Sequence, residues 1–297
     1  MQKTIVETDA GPMAVRCTPR ESDVATILLH GAAGSWTTWA PLIAAAEAER
    51  GVPVPDLVVP DLPGWGDSPA DLSGLDVEVL AAAAATAARA LGYERWRMVG
   101  HSLGGFVGLE VAVREQEATQ SVVLISATTF AGRADVLSTG ALFRGYAPLM
   151  LLLQGMRVLA ALGAPSVRLV RALDRAGILA LLASPLFARR VPGVAHELAR
   201  DLRPAAFVRA VACARRYPAS ARWGRIRCPV MALRGDRDVF VPGPDDARLA
   251  AVVPGLRTVV LPATGHFAHV EHPTLVARLC LDDASWPTTD AAASVEA

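Results

Sequence analysis

The sequence predicts an α/β fold: a mostly parallel, eight-stranded sheet flanked by helices and interrupted by one all-helical segment. Three observations carry this. Short apolar, often β-branched runs recur, each closed by turn residues. Helix-like segments alternate with them. The alternation stops between about residues 131 and 222 and then resumes. Continuous apolar runs fit strands buried on both faces, and strand–helix alternation is the pattern of a parallel sheet.

The strand-like runs, in order, are K-T-I-V-E-T (3–8), M-A-V-R-C-T (13–18), A-T-I-L-L (25–29), D-L-V-V-P (56–60), R-M-V (97–99), S-V-V-L-I (121–125), V-M-A-L (230–233) and T-V-V-L-P (258–262). Helices are expected over Ala40–Arg50, Asp76–Leu91, Leu103–Glu117, Pro244–Val253 and Pro273–Leu281. The alanine run at 81–85 is a strong helix former rather than a linker. In the interruption only helix-like pieces occur, with prolines at 148, 165, 185, 192, 204 and 218 as stops. The expected organisation is therefore a sheet domain from residues 1–130 and 223–285, a helical insertion at 131–222, and a flexible tail at 286–297.

With 52% hydrophobic and 20% charged residues, the 297-residue chain has ample material for a core. Lysine plus arginine balance aspartate plus glutamate at 29 each, so no global charge points to nucleic acid. The charge is uneven: residues 131–222 hold 14 arginines against four acids, Asp135, Asp174, Glu197 and Asp201. Such a basic insertion could draw in an anionic substrate or an acidic carrier protein, or simply be a solvated face. The four cysteines are scattered without C-x-x-C spacing, which suggests neither a metal site nor a disulfide framework. The longest charge-free apolar stretch in the middle, residues 145–156, is 12 residues; a membrane span needs about 20. The N-terminus lacks the apolar core of a signal peptide. A reducing, cytoplasmic setting is expected, with no membrane span.

The chemistry concentrates in loops at strand ends. G-H-S-L-G (100–104) matches G-x-S-x-G between a strand and a helix. There it makes a sharp turn that lifts a serine hydroxyl clear of the backbone, at a helix N-terminus that favours developing negative charge. Ser102 is the candidate nucleophile; otherwise it is the cap of an ordinary helix. A serine needs a base, and His266 in A-T-G-H-F (263–267) follows a strand on a loop. His101 is expected to point away from the serine, and His269 and His272 to be structural. The base needs an orienting acid, and L-R-G-D-R-D-V-F-V-P (233–242) offers Asp236 and Asp238. L-L-H-G-A-A-G-S-W (28–36) leaves backbone N–H groups free after a strand, so the N–H groups of Ala32 and Leu103 are oxyanion-hole candidates.

These motifs, in this order, resemble the α/β-hydrolase superfamily over roughly residues 1–130 and 223–285. D-L-P-G-W-G-D-S (61–68) is similar to that family's turn after the fourth strand. G-D-R-D-V-F-V-P is similar to its acid loop, and G-H-F-A-H-V-E-H-P to its histidine loop. The resemblance selects Asp238 over Asp236 and implies a Ser102–His266–Asp238 triad needing no metal or organic cofactor. It also implies that residues 131–222 form a helical lid. A serine nucleophile argues against the carboxylate-dependent epoxide hydrolases and haloalkane dehalogenases of the same framework. The expected reaction is cleavage of a small, largely apolar carboxylic ester or related acyl compound. C–C bond hydrolysis or non-hydrolytic tailoring (a cyclase or lyase) is the alternative, and a non-catalytic ligand-binding protein a more distant one. Trp36, Trp65 and Phe130, on loops after strand ends, are candidate pocket walls.

Overall fold

A computed structural model describes residues 1–130, 147–241 and 243–282; residues 131–146 of the insertion and the tail 286–297 lie outside them. The chain opens with a hairpin, β1 (Gln2–Thr8) and β2 (Gly11–Cys17), and continues through β3 (Val24–Leu29), β4 (Leu57–Pro60), β5 (Arg95–His101), β6 (Thr119–Ile125), β7 (Val230–Gly235) and β8 (Arg257–Leu261). All eight join one sheet in the order β1-β2-β4-β3-β5-β6-β7-β8. β2 pairs antiparallel with both β1 and β4; every pairing from β4 to β8 is parallel. β4 is buried along its whole length, as its unbroken apolar run requires.

Helices cover both faces. α1 (Ala40–Arg50) and α12 (Pro273–Leu281) bury Leu42, Ile43, Val276 and Cys280 against one face, while α2 (Val77–Ala90) and α3 (Leu103–Arg114) cover the other. Asp76 caps α2 by accepting from the Val79 N–H at 2.8 Å. The alanines of α2 allow close approach to the sheet; most of them are buried. α3 stops three residues short of the expected end, because the Glu115 carbonyl turns to accept from Ala118 and Thr119 N–H at 3.2 and 2.8 Å. α10 (Pro244–Ala250) is likewise shorter than expected.

Between β6 and β7 the described chain is helical: α4 (Ala147–Leu162), α5 (Ala164–Arg175), α6 (Ile178–Ala183), α7 (Val194–Asp201), α8 (Pro204–Arg216) and α9 (Ala219–Trp223). Polar bonds fasten this segment to the sheet domain. Arg222 and Tyr217 both reach the fully buried Glu110 carboxylate on α3. Arg209 donates to the carbonyls of Leu75 and Ser73, and Arg203 to that of Gly66. Part of the basic excess is therefore consumed in tying the insertion down.

The strand order places the functional loops. From β3 the chain crosses one way to β4, and from β5 the other way to β6. The carboxyl ends of β3 and β5 thus flank a topological switch point, where open α/β sheets form their ligand crevice. The loop after β3 carries Ala32 and the turn after β5 carries Ser102.

Candidate active site

Ser102 sits between β5 and α3 with φ 52° and ψ −115°, a conformation that costs a non-glycine residue free energy and persists only when its surroundings enforce it. The glycines around it allow the turn to close. A Cβ on Gly104 would lie 2.0 Å from the Leu29 carbonyl oxygen, and one on Gly100 would lie 2.4 Å from the Gly104 backbone. Ser126 and Ala263, at the ends of β6 and β8, also have positive φ, at 49° and 50°. Backbone strain therefore gathers at the strand ends around the serine.

His266 follows β8, and Asp238 follows β7. The imidazole Nδ1–H donates to the Asp238 carboxylate, 3.0 Å from each oxygen. The Asp238 side chain is fully buried. Burial pushes its carboxyl up, but the facing His266, the Phe240 N–H at 2.8 Å and the Ser126 hydroxyl more than offset this, so its net shift is downward; the Val241 N–H also donates to it, at 3.1 Å. An anionic partner on Nδ1 leaves Nε2 as the basic nitrogen. Asp236 plays a different part. It is exposed and accepts from the Thr264 N–H at 3.1 Å, with no bond to His266. Ser102 and His266 border the same cavity; among the described residues no hydrogen bond joins them.

Two backbone N–H groups, of Ala32 and Leu103, have no hydrogen-bond acceptor among the described residues. The loop carrying Ala32 is held from below. Leu62 N–H donates to His30 Nε2 at 2.9 Å, which fixes the His30 proton on Nδ1, where it faces the Gly31 carbonyl at 2.9 Å. Burial keeps the His30 pKa below its ordinary value, so the ring stays neutral. Trp65 Nε1 donates to the Ala32 carbonyl at 2.8 Å. Asp61, fully buried, accepts from Arg16 at 2.8 Å and from the N–H groups of Trp36 and Asp67 at 2.9 and 3.0 Å. The D-L-P-G-W-G-D-S turn is thus the foundation of the H-G-A-A-G loop.

A cavity of about 820 Å³ lies over Ser102. Its floor is Gly31 to Gly34, Ser102, Leu103, His266 and Phe267; its roof comes from α4 to α8. Trp36, Trp65 and Phe130 do not line it, contrary to expectation. Trp65 is wholly buried and spends its N–H on Ala32. Trp36 stacks beneath the Arg16 guanidinium, 4.2 Å from its centroid. Phe130 packs edge-on to Trp223 in the core.

Three further residues shape the site in ways the sequence reading did not assign to them. His101 does not turn away from the site. Its Nε2–H donates to the His266 carbonyl at 3.0 Å, and its ring lies 4.9 Å from that of His266 and 4.5 Å from that of His269. Burial, reinforced by these neighbouring histidines, holds its pKa well below the ordinary value. Glu271, buried in α11 (Ala268–Glu271), accepts from Gly265 N–H at 2.8 Å through one oxygen and from Ala188 and Arg189 N–H at 2.8 and 3.1 Å through the other. Asp201, at the end of α7, receives the Ser35 and Thr37 hydroxyls of the Ala32 loop. The spacing from Gly265 to Glu271 was visible in the sequence, but the partners of Glu271 on the insertion were not.

Known proteins resemble this chain along most of its length. A family model described as the alpha/beta hydrolase family matches residues 26–279. A protein of Pseudomonas savastanoi pv. phaseolicola named "Putative carbamate hydrolase RutD" is 28% identical over 266 residues, covering 86% of this chain and 92% of its own. Among solved structures, an esterase from Exiguobacterium antarcticum superposes with a TM-score of 0.71 at 16% identity, covering 93% of this chain and 97% of that one. An enol-lactonase from Burkholderia xenovorans LB400 does so with a TM-score of 0.70 at 18% identity, covering 94% and 98%. At such identities the two structures speak to the fold alone.

Proposed function

Because the chain belongs to the alpha/beta hydrolase family, we propose that it is a serine hydrolase cleaving a largely apolar carboxylic ester through an acyl-enzyme. Ser102 Oγ attacks the carbonyl carbon while His266 Nε2 takes its proton. The imidazolium so formed faces the Asp238 carboxylate. The carbonyl oxygen becomes an oxyanion held by the Ala32 and Leu103 N–H groups, whose fixed dipoles need no reorganisation. Collapse expels the alcohol, which receives the proton from His266 and leaves Ser102 acylated. Water then attacks the acyl carbon, giving its proton to His266; collapse breaks the bond to Ser102 Oγ, which takes that proton back from His266 as the carboxylic acid leaves.

One observation carries the reading: His266, bonded to Asp238, and the positive-φ Ser102 border one cavity together with Ala32 and Leu103, whose N–H groups have no acceptor among the described residues. The test is intact mass after exposure to a fluorophosphonate probe, for the wild type and Ser102→Ala. A single adduct on the wild type and none on the variant is expected. A folded wild type that takes no adduct, or a variant that takes the same one, overturns the mechanism.

A further inference from the structure

From the cavity above Ser102, we infer that the acyl part of the substrate is an extended aliphatic chain, lodged between the sheet domain and helices α4 to α8. The inference rests on the serine-hydrolase reading and names its substrate class. The described lining contains no aspartate, glutamate, lysine or arginine, and no asparagine or glutamine. Its polar side chains are Thr38, His101, Ser102, Thr128 and His266, all from the sheet domain. The roof contributes leucines, valines, alanines and Met156. A ligand of many polar atoms would leave them unpaired against that roof, each at a desolvation cost. Hydrocarbon meets no such penalty.

Two smaller classes fit less well. Carbamate, which the name of the relative suggests, is a compact anion. It would occupy a small fraction of about 820 Å³ and would meet no cation among the described lining residues. A short ester of the kind expected from sequence would leave most of the apolar roof untouched. The volume falls in the range of pockets that engulf a drug-sized ligand, roughly 300–1,000 Å³. Leu151 and Leu182 border the cavity and are also 73% and 64% exposed, so its wall opens to solvent through apolar side chains.

The experiment is a p-nitrophenyl ester series, acetate, butyrate, hexanoate, octanoate and decanoate, with kcat/KM measured at equal ester solubility. A buried methylene contributes ~0.8 kcal/mol, which is about fourfold, so kcat/KM should climb by up to that factor per added methylene and level off once the cavity is filled. Gly155 on α4 borders the cavity, and a Cβ there would meet no described atom within 4 Å. Gly155→Phe should therefore fold and lower the decanoate-to-acetate ratio of kcat/KM at least tenfold. A profile that is flat or falls beyond acetate overturns the inference. So does a ratio that Gly155→Phe leaves unchanged. Binding of 1-hexanol and 1-octanol to Ser102→Ala separates the two readings. Tighter octanol binding with no probe adduct on the wild type refutes the hydrolase mechanism but keeps the chain site. An adduct with equal or undetectable alkanol binding keeps the mechanism and removes the chain site.

Discussion

Glu271→Gln tests whether the insertion is locked to the histidine loop. In the wild type one buried carboxylate serves three N–H donors, Gly265 on one oxygen and Ala188 and Arg189 on the other, while the Leu186 carbonyl accepts from the His266 N–H at 2.8 Å. An amide has one oxygen, so its NH₂ must face a donor at one end. The less costly orientation forfeits the Gly265 bond. A hydrogen bond to a charged group contributes ~1.5–3 kcal/mol against ~1 kcal/mol for a neutral one. Losing one bond and weakening two therefore amounts to about 3–5 kcal/mol. This is a large share of the roughly 5–15 kcal/mol that stabilises a typical domain, so the variant should fold but open readily. Urea unfolding gives the stability, hydrogen exchange at the Ala188 and Arg189 amides reports the lock, and the labelling rate of Ser102 reports its effect on His266. A loss below ~1 kcal/mol together with unchanged amide protection would refute the lock.

Two other perturbations follow from the same geometry. Asp238→Asn should lower kcat by a factor on the order of 10⁴, whereas Asp236→Asn, at an exposed carboxylate that bonds the backbone of residues 263 and 264 and not His266, should stay near wild type; equal activity of both variants in an ester assay would contradict the triad. His269 is fully buried with neither ring nitrogen bonded among the described residues, and burial, with His266 nearby, holds its pKa down at about 3. A depressed folded pKa means stability that is complete above the unfolded value near 6.5 and lost as pH falls toward 3. By about pH 5 this single ring costs ~2 kcal/mol, and His101 acts in the same direction. His269→Leu should remove that increment from the difference in urea stability between about pH 8 and pH 5; an unaltered pH dependence would rule the account out.

The loops at the strand ends were legible because their chemistry is local. Ser102 needs glycine at 100 and 104 within five residues, and the Asp238 turn is closed by its own neighbours Phe240 and Val241. The strands were legible from apolar runs, apart from helix ends such as Arg114, where the next turn competes. What surrounds the substrate was not legible. Leucines of α4, α6 and α7 that border the cavity have the same spacing as leucines that merely pack, and only tertiary contact separates the two. Trp36 and Trp65 misled for a related reason. A tryptophan after a strand end can face the crevice or brace the loop beneath it, and here Arg16 and the Ala32 carbonyl draw both into bracing. His101 misled because the turn geometry was read without β8, whose following loop supplies the His266 carbonyl that captures its ring.

The anchors of the insertion bear on how a substrate reaches Ser102. Asp201 binds the loop of Ala32, and Glu271 binds the segment 188–189 to the loop of His266. The insertion is thus fastened beside both halves of the proposed catalytic machinery by buried carboxylates. Swinging it away as one body would strip the Ala188, Arg189 and His266 N–H groups and the Ser35 and Thr37 hydroxyls of their acceptors, at ~1–3 kcal/mol for each donor left buried. It would also disturb the two loops that the proposed mechanism needs fixed. Among the described residues the wall at Leu151 and Leu182 carries no such bonds, and both side chains are exposed. An aliphatic chain can enter there by displacing leucine side chains, which costs rotamer freedom rather than hydrogen bonds. Entry and preorganisation are then compatible: the polar half of the site stays locked while the apolar half yields.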